Sequence, residues 1–162
     1  MKITYAKNRL GEALTNASPV LAQTAVAQAE KMLAAIESQC LEQLDVLLAE
    51  FPLDASADAE IRAQQIRAAY NTARRMIGVG TAASFPALDV AAKSLCEVAD
   101  GLLVRSLTDW APVRVHVDTM RLLRQPNMPE AATSQLLAGL DSVRSRFAVK
   151  AAASHRSVSK SS

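Results

Sequence analysis

The chain has 162 residues, half of them hydrophobic but only 4% aromatic, with a formal net charge of +2 and 21% charged residues. That length suits one domain with a real, aliphatic core, and 5 glycines and 6 prolines are too few to punctuate an all-β chain. The near-neutral balance speaks against nucleic acid, which asks for a clustered basic excess, and no apolar run approaches the roughly 18 residues that cross a bilayer.

The opening "MKITYAKNRLGEAL" lacks the apolar core of a secretory signal, so a soluble, cytoplasmic protein is expected. Cys40 and Cys96 stand singly among apolar residues and read as buried free thiols in a reducing compartment. Residues 1–17 are weakly patterned and read as an N-terminal tail. Ser18-Pro19 is a start signal, a capping hydroxyl before a proline that needs no amide partner. From there to Phe51 apolar or small residues recur at Ala22, Ala25, Ala29, Met32, Ile36, Cys40, Leu44 and Leu47. Steps of three and four put them on one helix face, predicting a long N-terminal helix of about nine turns, or two helices joined near Ser38. Pro52 ends it.

After the polar stretch "LDASADAE" a second helix is predicted from Asp58 to Val79, its stripe at Ile66, Ala69, Ala73, Met76 and Gly80. Ser84 and Pro86 open a third, with Phe85, Leu88, Ala92, Leu95, Ala99 and Leu102. Thr108 and Asp109 are candidate caps for a fourth, carrying Trp110, Val113, Val117, Met120 and Leu123 and stopped by Pro126. Asn127 with Glu130 reads as a capping box before a last helix bearing Leu136, Leu140, Val143 and Phe147. Residues 151–162 have little to bury and are expected to be a disordered basic tail. The fold class is therefore all-α, an antiparallel helical bundle spanning residues 18–150 with a four-helix core.

Within that pattern "ARRMIGVG" stands out, because a glycine inside a helix costs roughly 1 kcal/mol relative to alanine. Either the helix ends at Gly78 and Gly80 or something approaches them closely. The stretch resembles the signature helix of histidine phosphotransfer (Hpt) domains, roughly His-x-Leu-Lys-Gly-x-Ala, followed by a glycine, a leucine and an Ala-x-x-Leu-Glu. Arg74 stands where the phospho-accepting histidine would be. Met76 matches the leucine, Gly78 the glycine and Gly80 the small residue, and Leu88, Ala92 and Leu95 follow at the family spacing. The chain departs from the pattern at Arg74 for histidine, Ile77 for lysine, Ser84 for the second glycine and Cys96 for glutamate. The resemblance covers about residues 61–103.

The resemblance implies an Hpt-like bundle working in two-component phosphorelay signalling, with a response-regulator receiver domain or a histidine kinase as partner. Phosphoryl transfer needs a nucleophile with a free lone pair, and a guanidinium has none. A docking protein that does not transfer phosphate is thus expected, not an enzyme, with Asn71, Arg74, Arg75, Ile77, Gly78 and Lys93 as the docking face. A glycine at 78 would leave room for a partner to reach residue 74. Paired arginines also occur on plain solvated helix faces, with glycines that merely end the helix.

His116, in "VRVHVDTM", is an alternative phospho-acceptor, although a histidine beside an apolar stripe more often bonds a neighbouring helix. His116, His155, Cys40 and Cys96 lie apart, without paired metal-ligand spacing, and no P-loop, nucleophile elbow or dinucleotide fingerprint occurs. No metal or cofactor is expected. The competing reading is a structural or oligomerising helical protein. Ala22, Ala25 and Ala29 let a second helix approach closely, which predicts a homodimer through the first helix.

Overall fold

The computed structural model describes residues 19–52, 56 and 58–158. Six helices account for nearly all of them: α1 Pro19–Glu50, α2 Ala59–Met76, the single turn α3 Val79–Ala82, α4 Pro86–Val104, α5 Ala111–Leu123 and α6 Glu130–Val158. No strand occurs among the described residues, and none of their helices is long and apolar enough to cross a membrane. Residues 1–17, read as a tail, lie outside the described residues.

The chain divides into two units, residues 1–36 and 37–162. In the second, α4 is the hub, packing against α2, α3, α5 and α6. Its stripe explains why: Leu88, Ala91, Ala92, Leu95, Val98, Ala99 and Leu102 are all buried. Ile66, Ala69, Ala73 and Met76 of α2 and Val113, Val117, Met120 and Leu123 of α5 complete the core with Leu140 of α6. The end of α1 joins them through Leu44, Leu47, Leu48 and Phe51. Two ion pairs tie it down: Arg124 grips Asp45 at 2.8 and 2.9 Å, and Arg75 grips Glu50 at 2.6 and 3.2 Å.

The α2 start follows local chemistry. Asp58 Oδ1 accepts from the amides of Glu60 at 2.8 Å and Ile61 at 3.0 Å, satisfying two donors that a helix start leaves free. Asp109 Oδ1 takes the Ala111 amide at 3.1 Å ahead of α5.

Four expectations need correction. The α2 helix stops at Met76 rather than Val79, because Ile77 turns extended and Gly78 adopts φ +93°. Asn127 forms no capping box. It sits at φ +63°, a left-handed conformation asparagine tolerates, and α6 begins only at Glu130. Helix α6 also runs beyond Lys150 to Val158, in keeping with Ala151, Ala152 and Ala153, the strongest helix former three times over. In α1 the predicted stripe divides: Leu44, Leu47 and Phe51 are buried, whereas residues 22–36 are exposed throughout. No interruption of the helix occurs at Ser38.

Candidate functional site

The site grows from the turn that ends α2. Gly78 points its amide at Asp89 Oδ1, 3.0 Å away, and Gly80 does the same at 3.1 Å. The other carboxylate oxygen, Oδ2, accepts from the Thr81 amide at 3.1 Å and from the Thr81 hydroxyl. Asp89, in the first turn of α4 and almost fully buried, therefore gathers the free donors at the start of α3. A buried carboxylate persists only when hydrogen-bonded in this way.

The two glycines have different reasons. At Gly78 a Cβ would meet nothing within 4 Å, and it is the φ of +93° that selects glycine. At Gly80 a Cβ would stand 2.7 Å from Asp89 Oδ1 and 2.9 Å from the Phe85 carbonyl. Both alternatives read from the sequence are thus realised: the helix ends, and what approaches is this chain's own Asp89. Gly80 is buried and belongs to no open patch, while Gly78 is exposed. Asp89 was not singled out in the sequence. Its signal is an acidic residue inside the apolar run "PALDVAA".

Just before the turn, Asn71, Arg74 and Arg75 are exposed along the last part of α2, and Ile77, exposed too, follows its end. The Arg74 guanidinium lies 5.7 Å from the Tyr70 ring centre, a cation–π distance that steadies a long side chain. It makes no ion pair among the described residues. Its neighbour differs, since Arg75 is committed to Glu50, whose Oε2 also accepts from the Thr72 hydroxyl at 3.4 Å. Asn71, Arg74 and Arg75 line a shallow, open cleft of about 360 Å³.

Helix α4 runs antiparallel beside this face. The Cys96 thiol lies 3.9 Å from the Tyr70 carbonyl, one step in a register that continues to Gly80 and Asp89. Lys93, one turn before Glu97, thereby falls at roughly the level of Arg74. It opens onto a different depression, however, a groove of about 250 Å³ between α4 and α6 shared with Val90, Glu97, Leu137 and Arg144. Of the predicted docking residues, the structure gathers Asn71, Arg74 and Arg75 in one cleft, follows them with Ile77 and Gly78, and sets Lys93 in the neighbouring groove. Burial pushes the Cys96 thiol up to about 11, against the pull of the Arg74 charge and with a smaller push from Glu97. Cys96 is thus a protonated, unreactive thiol near neutrality.

His116 lies elsewhere, on α5 and fully buried. Its Nδ1 is 2.7 Å from the Pro112 carbonyl, which can only accept, so Nδ1 carries the proton. Nε2, 2.9 Å from Ser94 Oγ, then accepts from that hydroxyl. Burial lowers the His116 pKa from its ordinary value, the Pro112 bond opposing in part, so the ring is neutral at neutral pH. Both nitrogens are occupied and no ring atom is open to a partner. This position gives the displaced-acceptor reading no route for an incoming phosphoryl group.

Among the described residues no three His, Cys, Asp or Glu side chains gather where they could hold a metal ion. Comparison with protein-family models, with curated proteins and with solved structures gave no match.

Proposed function

We propose that the chain is an Hpt-like docking protein of two-component signalling, binding a receiver or kinase domain through the Arg74 face without transferring phosphate. The observation that carries this reading is Arg74 itself: exposed, held over Tyr70, free of carboxylate partners among the described residues, and at the position the resemblance assigns to the phospho-acceptor. A receiver domain surrounds its phospho-accepting aspartate with carboxylates, and a guanidinium pairs with carboxylates in a two-pronged geometry that an imidazole cannot offer. Helices α2, α4, α5 and α6 would form the four-helix core, with α1 as the long N-terminal helix. Such a role is cytoplasmic.

On this reading Asn71 and Ile77 form the rim, Gly78 leaves the surface beside Arg74 low, and Lys93 extends the basic face across α4. Arg75 serves mainly to hold Glu50. Incubation with a phosphorylated receiver domain tests the proposal. No label should pass to this chain, whereas the receiver should bind and Arg74→Glu should abolish binding. Stable label on the chain, or unchanged affinity for Arg74→Glu, would overturn it. Label that disappears with His116→Ala would establish the displaced-acceptor alternative instead, and absence of any receiver or kinase binding would favour the structural, oligomerising reading.

A further inference from the structure

The first half of α1 presents the largest run of unburied apolar side chains among the described residues. Val26, Met32, Leu33 and Ile36 are 57, 61, 65 and 48% exposed, and Ala22, Ala25 and Ala29 are exposed with them. At about 100° per residue these seven positions fall within an arc of roughly 120°. Glu30, Lys31 and Glu37 fall outside it. An apolar face that wide is the kind a helix buries against a partner, not one left to water.

The order of residues along this face identifies the partner. Ala22, Ala25 and the shorter Val26 occupy one end, the longer Met32, Leu33 and Ile36 the other, with Ala29 between. We infer that this face pairs with the same face of a second copy, antiparallel, about a two-fold axis near its middle. In that arrangement Ile36 and Leu33 of each helix lie over Ala22 and Ala25 of the other and Met32 over Val26, so a tapered face complements itself, and the axes approach closely where Ala29 meets its own copy. A parallel pair would stack large on large and small on small, leaving a gap at one end. The face from Ala22 to Ile36, about 22 Å of helix, gives the pair about four turns of contact. No charged side chain falls on the seam, so no like charges are forced together.

This pairing does not depend on the Arg74 face, and its test is separate. Solution mass should rise to twice that of the monomer with increasing concentration and should not fall when salt is raised. Leu33→Asp, at a mostly exposed position, should leave the urea midpoint of the bundle unchanged and weaken the dimer at least about tenfold, because a carboxylate would have to be buried unpaired. Direction is read by oxidative cross-linking. A mixture of Ala22→Cys and Ile36→Cys chains should form the mixed disulfide, whereas Ala22→Cys alone and the natural Cys40 should not cross-link to their own copies. A monomer at every concentration, a dimer indifferent to Leu33→Asp, or cross-linking of Ala22→Cys to itself would overturn the inference.

Discussion

Positions 74 and 116 divide between them what a phosphotransfer site must combine. Arg74 has the access: it is exposed at the end of α2, beside an exposed glycine and over the Tyr70 ring. It lacks the chemistry, because a guanidinium has no lone pair to give. His116 has the chemistry, a neutral imidazole with the proton fixed on Nδ1 by the Pro112 carbonyl. It lacks the access, being fully buried with Nε2 already accepting from Ser94. What separates them is packing. The same α4 that seals His116 through Ser94 shapes the Arg74 face through Asp89, so one helix closes the first position and leaves the second open.

The comparison can be broken most forcefully at Asp89. Asp89→Ala would strand the amides of Gly78, Gly80 and Thr81, and we expect a loss of about 3 kcal/mol in urea unfolding with an unchanged m-value. A loss below about 1 kcal/mol would mean that the carboxylate does not hold the turn beyond Arg74. Next come the glycines. Gly80→Ala drives a methyl into Asp89 and the Phe85 carbonyl and should cost about 2 kcal/mol, whereas Gly78→Ala pays only for its backbone conformation, about 1 kcal/mol. The reverse order would contradict the separate reasons given for them.

Ser94→Ala sharpens the other side of the comparison. It leaves the buried Nε2 without its donor and should cost about 1 to 2 kcal/mol. His116 also predicts a pH dependence. Its folded pKa lies below its unfolded value of 6.5, so above 6.5 both states are neutral and its full contribution is present. As the pH falls below 6.5 the unfolded chain takes up the proton first, and stability declines until the folded pKa is passed. Unfolding measured across that window should show the decline in wild type and a smaller one in His116→Gln. The smallest effect on stability belongs to Arg74→Glu, at most about 1 kcal/mol, since Arg74 meets the fold through a surface contact with the Tyr70 ring.

Periodicity made the core of the bundle legible. Leu88, Ala92, Leu95, Ala99 and Leu102, and Val113, Val117, Met120 and Leu123, are buried as their spacing requires. The same rule placed Met32 and Ile36 on a stripe, yet both stay exposed, because a stripe tells which face is apolar and not whether this chain covers it. Capping chemistry was readable at Asp109, a candidate cap whose carboxylate takes the Ala111 amide, and missed at Asp58, the first residue of the expected helix and in fact its cap. It was misleading at Asn127, whose side chain suits a cap and whose backbone equally suits a left-handed turn. Contacts between distant residues were invisible: Glu50 reaching Arg75 across 25 positions, and Asp89 reaching back to Gly78. Of the candidate site, the exposure of Arg74 followed from its place opposite the Ala69–Ala73–Met76 stripe. The burial of His116 depended on Ser94, which no spacing announced.

The account rests on an exposed cation that binds without accepting phosphate, and one titration tests it most directly. A phosphorylated receiver domain carrying radiolabel is titrated with wild-type and Arg74→Glu chains, following complex formation and the location of the label together. The account predicts a complex with wild type, none with Arg74→Glu, and label that stays on the receiver in both. Label on this chain, or equal binding by the two proteins, would contradict it.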